Sequence, residues 1–360
     1  MKNIHTYGRC ARSSLTGGIR IHGVILAAGK GERLKGLTQT IPKALVQVAG
    51  KTLLEHGIER FTKAGIQKIT LAIGWKGDMI REAIALLENL PEIQIIDVPN
   101  YEFGPLQTLT AALRSIDDEG SIICPVDLLI SSESITELVS CHADNQGAIV
   151  TLAIDPDATS GSSVSVDSSS QVIGIQKEVD NATSIATSAM FMVTSSDFVE
   201  QCESALNDGA TTAVSVLNDL IDKNHPVHSY NVHEKWFDVD TLADVLEANN
   251  FYLESASVEY HESIFVPSGD TMEIGDMLHL GSGIEVGKGV CLKGPCLIQK
   301  DTTIGQNCTI GPFTSLSTGT QVGNHCEIQH TVIFRQSKIP NHSKLNNIIM
   351  SESEIFRMEE

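Results

Sequence analysis

The sequence has no CxxC pair among its eight cysteines, which stand at 10, 124, 141, 202, 291, 296, 308 and 326. That spacing fits neither a zinc site nor a disulfide framework in a chain this long, and it reads as reduced thiols. No run of about 18 apolar residues occurs, so no membrane-spanning helix is expected. Cations are scarce: 25 Lys and Arg stand against 45 Asp and Glu, a formal net charge of −20. Such a field repels polyanions at long range, which excludes a general nucleic-acid binder and an anionic-membrane binder. Residues 1–20 carry Lys2, Arg9, Arg12 and Arg20 with no acid, yet lack the apolar stretch of a secretory signal. They are expected to form a disordered tail, with a transit peptide the less favoured reading, and the protein is expected in the cytoplasm.

What is present falls into two rhythms within 360 residues. From residue 21 to 253 short apolar runs alternate with helical stretches. "GVILAA", "KITLAIG", "IQIIDV", "SIICPV" and "GAIVTLAI" read as strands. "TLLEHGIERFTKAG", "DMIREAIALLENL", "GPLQTLTAALRSI" and "ITELVSCHAD" read as helices between them. This alternation predicts an α/β, Rossmann-like, mostly parallel sheet with helices on both faces. "SSVSVDSSSQVIGIQKE" reads as an added hairpin. Residues 254–283 read as a linker.

Beyond it, across residues 284–350, the period is six. Val286, Leu292, Ile298, Ile304, Ile310, Leu316, Val322, Ile328 and Phe334 recur in register, with small or β-branched residues two positions earlier, among them Cys296, Thr302, Cys308, Thr314 and Cys326. A period of six suits neither a helix nor an amphipathic strand. It predicts a parallel β-helix with three short strands per coil and one aliphatic per face stacked inside. The cysteines at 296, 308 and 326 then serve as small interior side chains. Residues 351–360 read as a tail.

The cations that do occur concentrate in "VILAAGKGERLKGLTQTIPKAL", residues 24–45. A dinucleotide fingerprint fails there because its third glycine is Leu34, and a Walker A loop ending at Gly50-Lys51-Thr52 fails because Leu45 holds the leading glycine position. A strand, a glycine turn with approachable backbone N–H groups, Arg33 with its planar fork and Lys43 after Pro42 remain. Such a set suits phosphate oxygens.

This stretch resembles the signature of the sugar-1-phosphate nucleotidylyltransferases, matching at Leu26 to Gly29, Gly31, Arg33, Leu34, Leu37-Thr38, Pro42-Lys43, Leu45 and Gly50-Lys51. "GKTLLEHGIERFTKAGIQKITLAIGW" continues in the family manner, and the resemblance extends through the solenoid, which in this family is a left-handed parallel β-helix of hexapeptide repeats. The resemblance implies a reaction in which a sugar 1-phosphate displaces pyrophosphate from a nucleoside triphosphate. The enzyme must then join two polyanions and spread the charge of the transition state. It implies that Leu26, Ala27, Ala28, Gly29 and Gly31 bind the nucleotide, with Arg33 and Lys43 stabilising the reacting phosphates. Gly104, Gln107 and Thr108 fall near the base, although helix packing explains Gln107 equally well. Lys177 falls where the family has a lysine for the sugar phosphate, but Glu178 replaces the usual proline. Ser188 falls on the strand lining the sugar pocket, in place of the commoner glycine.

Mg2+ is the implied cofactor, because crowded phosphates need a hard cation with oxygen ligands. Asp127, after "SIICPV", is the first implied ligand. Asp238 and Asp240 in "WFDVDTLADVL" compete for the second, with Asp238 preferred and a helix N-cap as the competing role for Asp240. The solenoid resembles the acyltransferase half of bifunctional relatives, whose acetyl-transfer site lies on coils following this segment. His325, His330 and His342 are read as corner residues facing water. The expected function is Mg2+-dependent transfer from UTP or dTTP to a hexose 1-phosphate such as glucose 1-phosphate, by a homo-oligomer formed through the β-helix. Three alternatives stand beside it. They are a CTP-dependent enzyme acting on a small phospho-alcohol, a non-catalytic nucleotide-sugar sensor and, least favoured, a hexapeptide acyltransferase.

Overall fold

A computed structural model describes residues 21–117, 120–145, 147–158, 161–177, 179, 182–255, 264–265 and 273–357. The expected tail at 1–20 lies outside them. Beside a short strand pair (Gln47–Val48 with Lys51–Thr52) and a four-residue helix (Leu37–Thr40), twelve strands and seven helices frame the first domain among its described residues. The strands are β1 (Ile21–Ala27), β2 (Lys68–Ile73), β3 (Glu92–Asp97), β4 (Gly120–Pro125), β5 (Leu128–Leu129), β6 (Val150–Ile154), β7 (Ser162–Val166), β8 (Val172–Ile175), β9 (Ser184–Ser188), β10 (Met192–Thr194), β11 (Val227–Asn231) and β12 (Phe237–Asp238). The helices are α1 (Leu53–Lys63), α2 (Gly77–Ala85), α3 (Pro105–Arg114), α4 (Ser132–Asp144), α5 (Phe198–Asn207), α6 (Ala213–Asp222) and α7 (Leu242–Ser255).

Seven strands form the main sheet in the order β11-β6-β10-β4-β1-β2-β3. All neighbours are parallel except β10, which runs antiparallel to β4 and β6. Apolar residues occupy both faces of β1, so it can lie at the sheet's interior. Ile25 and Ala27 enter one core cluster, and Val24 the other. Burial on both faces is what a parallel sheet covered by helices requires. The expected hairpin exists as β7 and β8, extended by β9 into a separate three-stranded antiparallel sheet.

The C-terminal part is a parallel β-helix. Cys291 pairs with Thr309 and Cys296 with Thr314, a displacement of 18 positions that corresponds to three strands of period six. Cys296, Cys308 and Cys326 are buried among its interior aliphatics, with burial pushing the Cys296 thiol up to about 12. Parallel pairing begins at Ile264–Phe265, inside the stretch read as a linker, and Glu354–Arg357 forms an antiparallel strand on Lys344–Ser351 inside the stretch read as a tail. Phe356 of that last strand reaches Gly36 in the cationic loop: a Cβ at Gly36 would meet its ring at 3.2 Å.

One position departs from the six-residue pattern. Leu316 pairs with Ile333, a displacement of 17, so the coil loses one residue between Ile328 and Val332. Ile333 takes the interior place, and Phe334 turns outward into the core of the first domain with Val332 and Ile349. The single deletion thus converts a solenoid filler into a wedge between domains. Gln299 to Gly50 (3.0 Å), Ser317 to Gln47 (2.6 Å) and Arg335 to Glu55 (2.9 Å) add polar ties across the same interface. Phe334 is 4% exposed, so Phe334→Ala is expected to destabilise the protein by about 3–5 kcal/mol in chemical denaturation. A loss well under about 1 kcal/mol would remove the wedge from the account of the interface.

Candidate active site

The cationic loop follows β1 and is shaped by local contacts. Gly31 sits at φ 66°, and a Cβ there would meet Lys43 at 3.0 Å, so glycine serves both the turn and the close packing. Thr38 Oγ1 donates to the Gly31 carbonyl (2.8 Å). Trp75 fastens the other side: its backbone N–H donates to the Ala28 carbonyl (3.0 Å) and its indole N–H to the Thr38 carbonyl (3.3 Å). Lys30 and Lys76 lie over its ring at 5.4 and 5.8 Å. Ala27 and Ala28 are buried, Leu26 is half-buried, and a Cβ at Gly29 would meet nothing within 4 Å. The loop therefore offers an open backbone at Gly29 on a braced frame.

Facing it are three carboxylates. Asp127 follows β4, where the N–H of Val126 donates to the Leu26 carbonyl (3.1 Å) and ties the turn to β1. The strands β5 and β12 pair antiparallel, and the Val239 N–H donates to the Asp127 carbonyl (3.0 Å). This pairing carries Asp238 and Asp240 to Asp127. Carboxylate oxygens from all three lie within 4.8 Å of one another.

Lys43 and Arg33 converge on this group. The Lys43 ammonium, only 9% exposed, bridges Asp127 and Asp240 in short ion pairs. Burial alone would lower its pKa, but the two carboxylates more than offset that and hold it above the ordinary lysine value. Arg33 pairs with Asp240 while its side chain stays 73% exposed. Asp238 forms no ion pair among the described residues. Burial, then the charges of Asp127 and Asp240, push its pKa up to about 7. Asp240 does not cap α7. Thr241 does so, accepting the Asp244 N–H (3.3 Å) while Asp244 accepts the Thr241 N–H (2.7 Å), which leaves the Asp240 carboxylate for the cations.

Other expected residues lie apart from this group. Gly104 has φ 123°, but the approach it permits is to Thr211, whose carbonyl would stand 2.6 Å from a Cβ there. Gln107 and Thr108 lie on α3, with Thr108 buried. Lys177 pairs with Asp222 of α6 at 2.8 Å. Ser188 is buried at the end of β9 and accepts the Met190 N–H (3.1 Å). His325 and His342 stack at 5.0 Å, and His330 stacks on Phe313 at 5.1 Å, at positive-φ corners of the β-helix.

Sequence reasoning passed over Thr38, Trp75, Thr241 and Arg60. Thr38 and Trp75 stood inside quoted motifs, and Thr241-x-x-Asp244 is a readable capping pattern. Arg60 gave no signal, because an Arg at a helix end ordinarily reads as surface.

The chemistry of the group is plain: half-buried acids gathered around two cations, beside an exposed glycine backbone, at the carboxyl edge of parallel strands. Residues 22–255 match the Nucleotidyl transferase family, and residues 292–357 match the GMPPB C-terminal domain. The bifunctional protein GlmU of Methanocaldococcus jannaschii is 29% identical over 92% of this chain and 77% of its own length. A bifunctional sugar-1-phosphate nucleotidylyltransferase/acetyltransferase of Sulfurisphaera tokodaii is 25% identical over 92% of this chain and 80% of its own. A 2-aminoethylphosphonate cytidylyltransferase of Lancefieldella rimae is 30% identical, over 32% of this chain and 46% of its own. Among the described residues no helix is long and apolar enough to cross a membrane. With its N-terminal nucleotidyl transferase domain and C-terminal β-helix, the chain belongs to the nucleotidyl transferase family.

Proposed function

We propose that the protein transfers a nucleotidyl group from a nucleoside triphosphate to a sugar 1-phosphate, with UTP or dTTP and glucose 1-phosphate as the favoured pair. The observation that carries this reading is the convergence of Arg33 and Lys43 on Asp127 and Asp240 beside the Gly29–Gly31 backbone. An oxygen of the sugar phosphate attacks the α-phosphorus, the bond to the bridging oxygen breaks, and pyrophosphate leaves with the electron pair. Arg33, 73% exposed, has room to turn toward the triphosphate. Lys43 is held where charge builds on the α-phosphate. The Gly29–Gly31 backbone offers N–H donors to the triphosphate, and Lys177 and Ser188 serve the acceptor side. Gly104, Gln107 and Thr108 remain the proposed surroundings of the base.

The residues fit Mg2+. All three candidate donors are hard carboxylate oxygens, and the Lys43 ammonium between Asp127 and Asp240 shows that the group accepts a cation. Asp127 and Asp238 would hold the ion, because Asp240 already serves both Arg33 and Lys43. When bound, it supplies neutralisation of the phosphate charges. Asp238 holds its proton up to about pH 7, and below that pH the proton competes with the metal. Apparent Mg2+ affinity, measured by titration calorimetry, is therefore expected to rise from about pH 6 to about pH 8. A flat profile would take Asp238 out of the ligand set.

Pyrophosphate release decides the reaction. Purified protein is given Mg2+, each triphosphate in turn, and a panel of sugar phosphates with phosphocholine. Release with a sugar 1-phosphate supports the proposal. Release only with CTP and a phospho-alcohol supports the second reading, which the Asp-Val-Asp-Thr turn and the similarity to a cytidylyltransferase favour. No release with any pair favours a sensor, and acetyl-CoA consumption an acyltransferase. A homo-oligomer built through the β-helix and a cytoplasmic location complete the proposal, and light scattering tests the first.

A further inference from the structure

A cavity of about 820 Å³ lies away from the carboxylate group, between the first domain and the β-helix. α1, the start of α4 and the end of α7 form one wall, and the coils at His279–Gly281 and Leu297–Lys300 form the other. In a chain of net charge −20 its lining carries a surplus of cations: Lys51, Arg60, Lys63, Lys235 and Lys300 against Glu59, Glu133 and Glu234.

The acids there are already served. Glu59 takes Lys51 and Lys63, at 2.5 and 2.8 Å. The Ser131 and Ser134 hydroxyls donate to Glu234, and the Ser132 hydroxyl donates to Glu133 at 3.0 Å. The donors are not. Arg60 is 5% exposed, and its Nε and one Nη are buried with no partner among the described residues. His279 Nε2 is likewise buried without a partner, and Lys300 makes no ion pair among the described residues. A buried guanidinium with unused N–H groups is costly unless something accepts from it. The remaining Nη of Arg60 donates to the Leu128 carbonyl. Leu128 follows Asp127, and its strand pairs with the one carrying Asp238.

We infer that this interdomain cavity is a regulatory site for a small phosphate monoester. The phosphate takes the spare donors of Arg60, His279 and Lys300, and the organic part packs on Phe251, Tyr252 and Leu280. Its occupancy reaches the catalytic acids through the contact of Arg60 with Leu128. The binding arm of the test stands apart from the proposed reaction, and only the turnover arm rests on it.

Orthophosphate, uridine monophosphate and glucose 6-phosphate are titrated calorimetrically into full-length Lys43→Ala protein, whose catalytic cleft has lost its buried cation. At least one of the two monoesters should bind saturably and more tightly than orthophosphate, and which one does identifies the organic part. Adding Lys300→Glu, an exposed change on the β-helix, should weaken that binding roughly tenfold or more. In the otherwise unaltered enzyme the same compound should shift turnover or KM, and Lys300→Glu should abolish the shift while leaving basal turnover intact. The absence of saturable binding, binding unaffected by Lys300→Glu, or a kinetic effect that is missing or survives Lys300→Glu each overturns the inference.

Discussion

Arg33→Ala is expected to lower kcat/KM by roughly 10²- to 10³-fold with the fold intact. The reason lies in what the side chain does when no substrate is bound. It is 73% exposed, its one ion pair among the described residues is with Asp240, and a pair whose cation stays in water contributes about 1 kcal/mol or less. Asp240 keeps Lys43 when Arg33 is gone, so no buried charge is stranded. A catalytic loss with little thermal cost is therefore the signature of a donor used only once phosphates arrive. Initial rates of pyrophosphate release and circular-dichroism melting give the two readings. Turnover near the unaltered level removes Arg33 from the mechanism. A large drop in Tm would make its role structural instead.

Asp127→Asn is expected to do more, lowering kcat by about three orders of magnitude or more, since ligation of a catalytic cation contributes several kcal/mol. Asn keeps an acceptor for the Lys43 ammonium, so the variant retains the β5–β12 frame and isolates the charge. Two consequences separate this from simple damage. Mg2+ affinity should fall in the same variant, and raising Mg2+ should recover part of the rate. Activity within tenfold of the original, together with unchanged Mg2+ dependence, would show that the carboxylates are gathered for Lys43 alone.

Much of this was legible from local chemistry. An apolar run ending in glycines and cations gives a strand and an anion-accepting turn because backbone geometry near glycine is a short-range matter. The period of six gives a β-helix because every coil repeats one packing requirement, and eight of the nine large apolar residues of the repeat fill its interior. Phe334 escaped because the shortened coil moves its register, and only pairing between coils reveals that.

Asp240 shows the same limit at the site. Its sequence neighbourhood permitted a helix cap, and the choice fell to Thr241 once Lys43, 197 positions away, took the carboxylate. Gly104 and Lys177 likewise found partners, Thr211 and Asp222, that no spacing rule could supply.

The chain's order of residues thus determined the elements, the two-domain plan, the anion-seeking loop and the acids worth watching, since each follows from neighbours within a turn or a strand. Only the tertiary structure decided which carboxylates meet which cations, which aromatic wedges the domains together, and that Arg60 is sealed beside an interdomain cavity. Those outcomes depend on distances and burial between residues far apart in the chain, where electrostatic energy is set by what packing excludes rather than by sequence proximity.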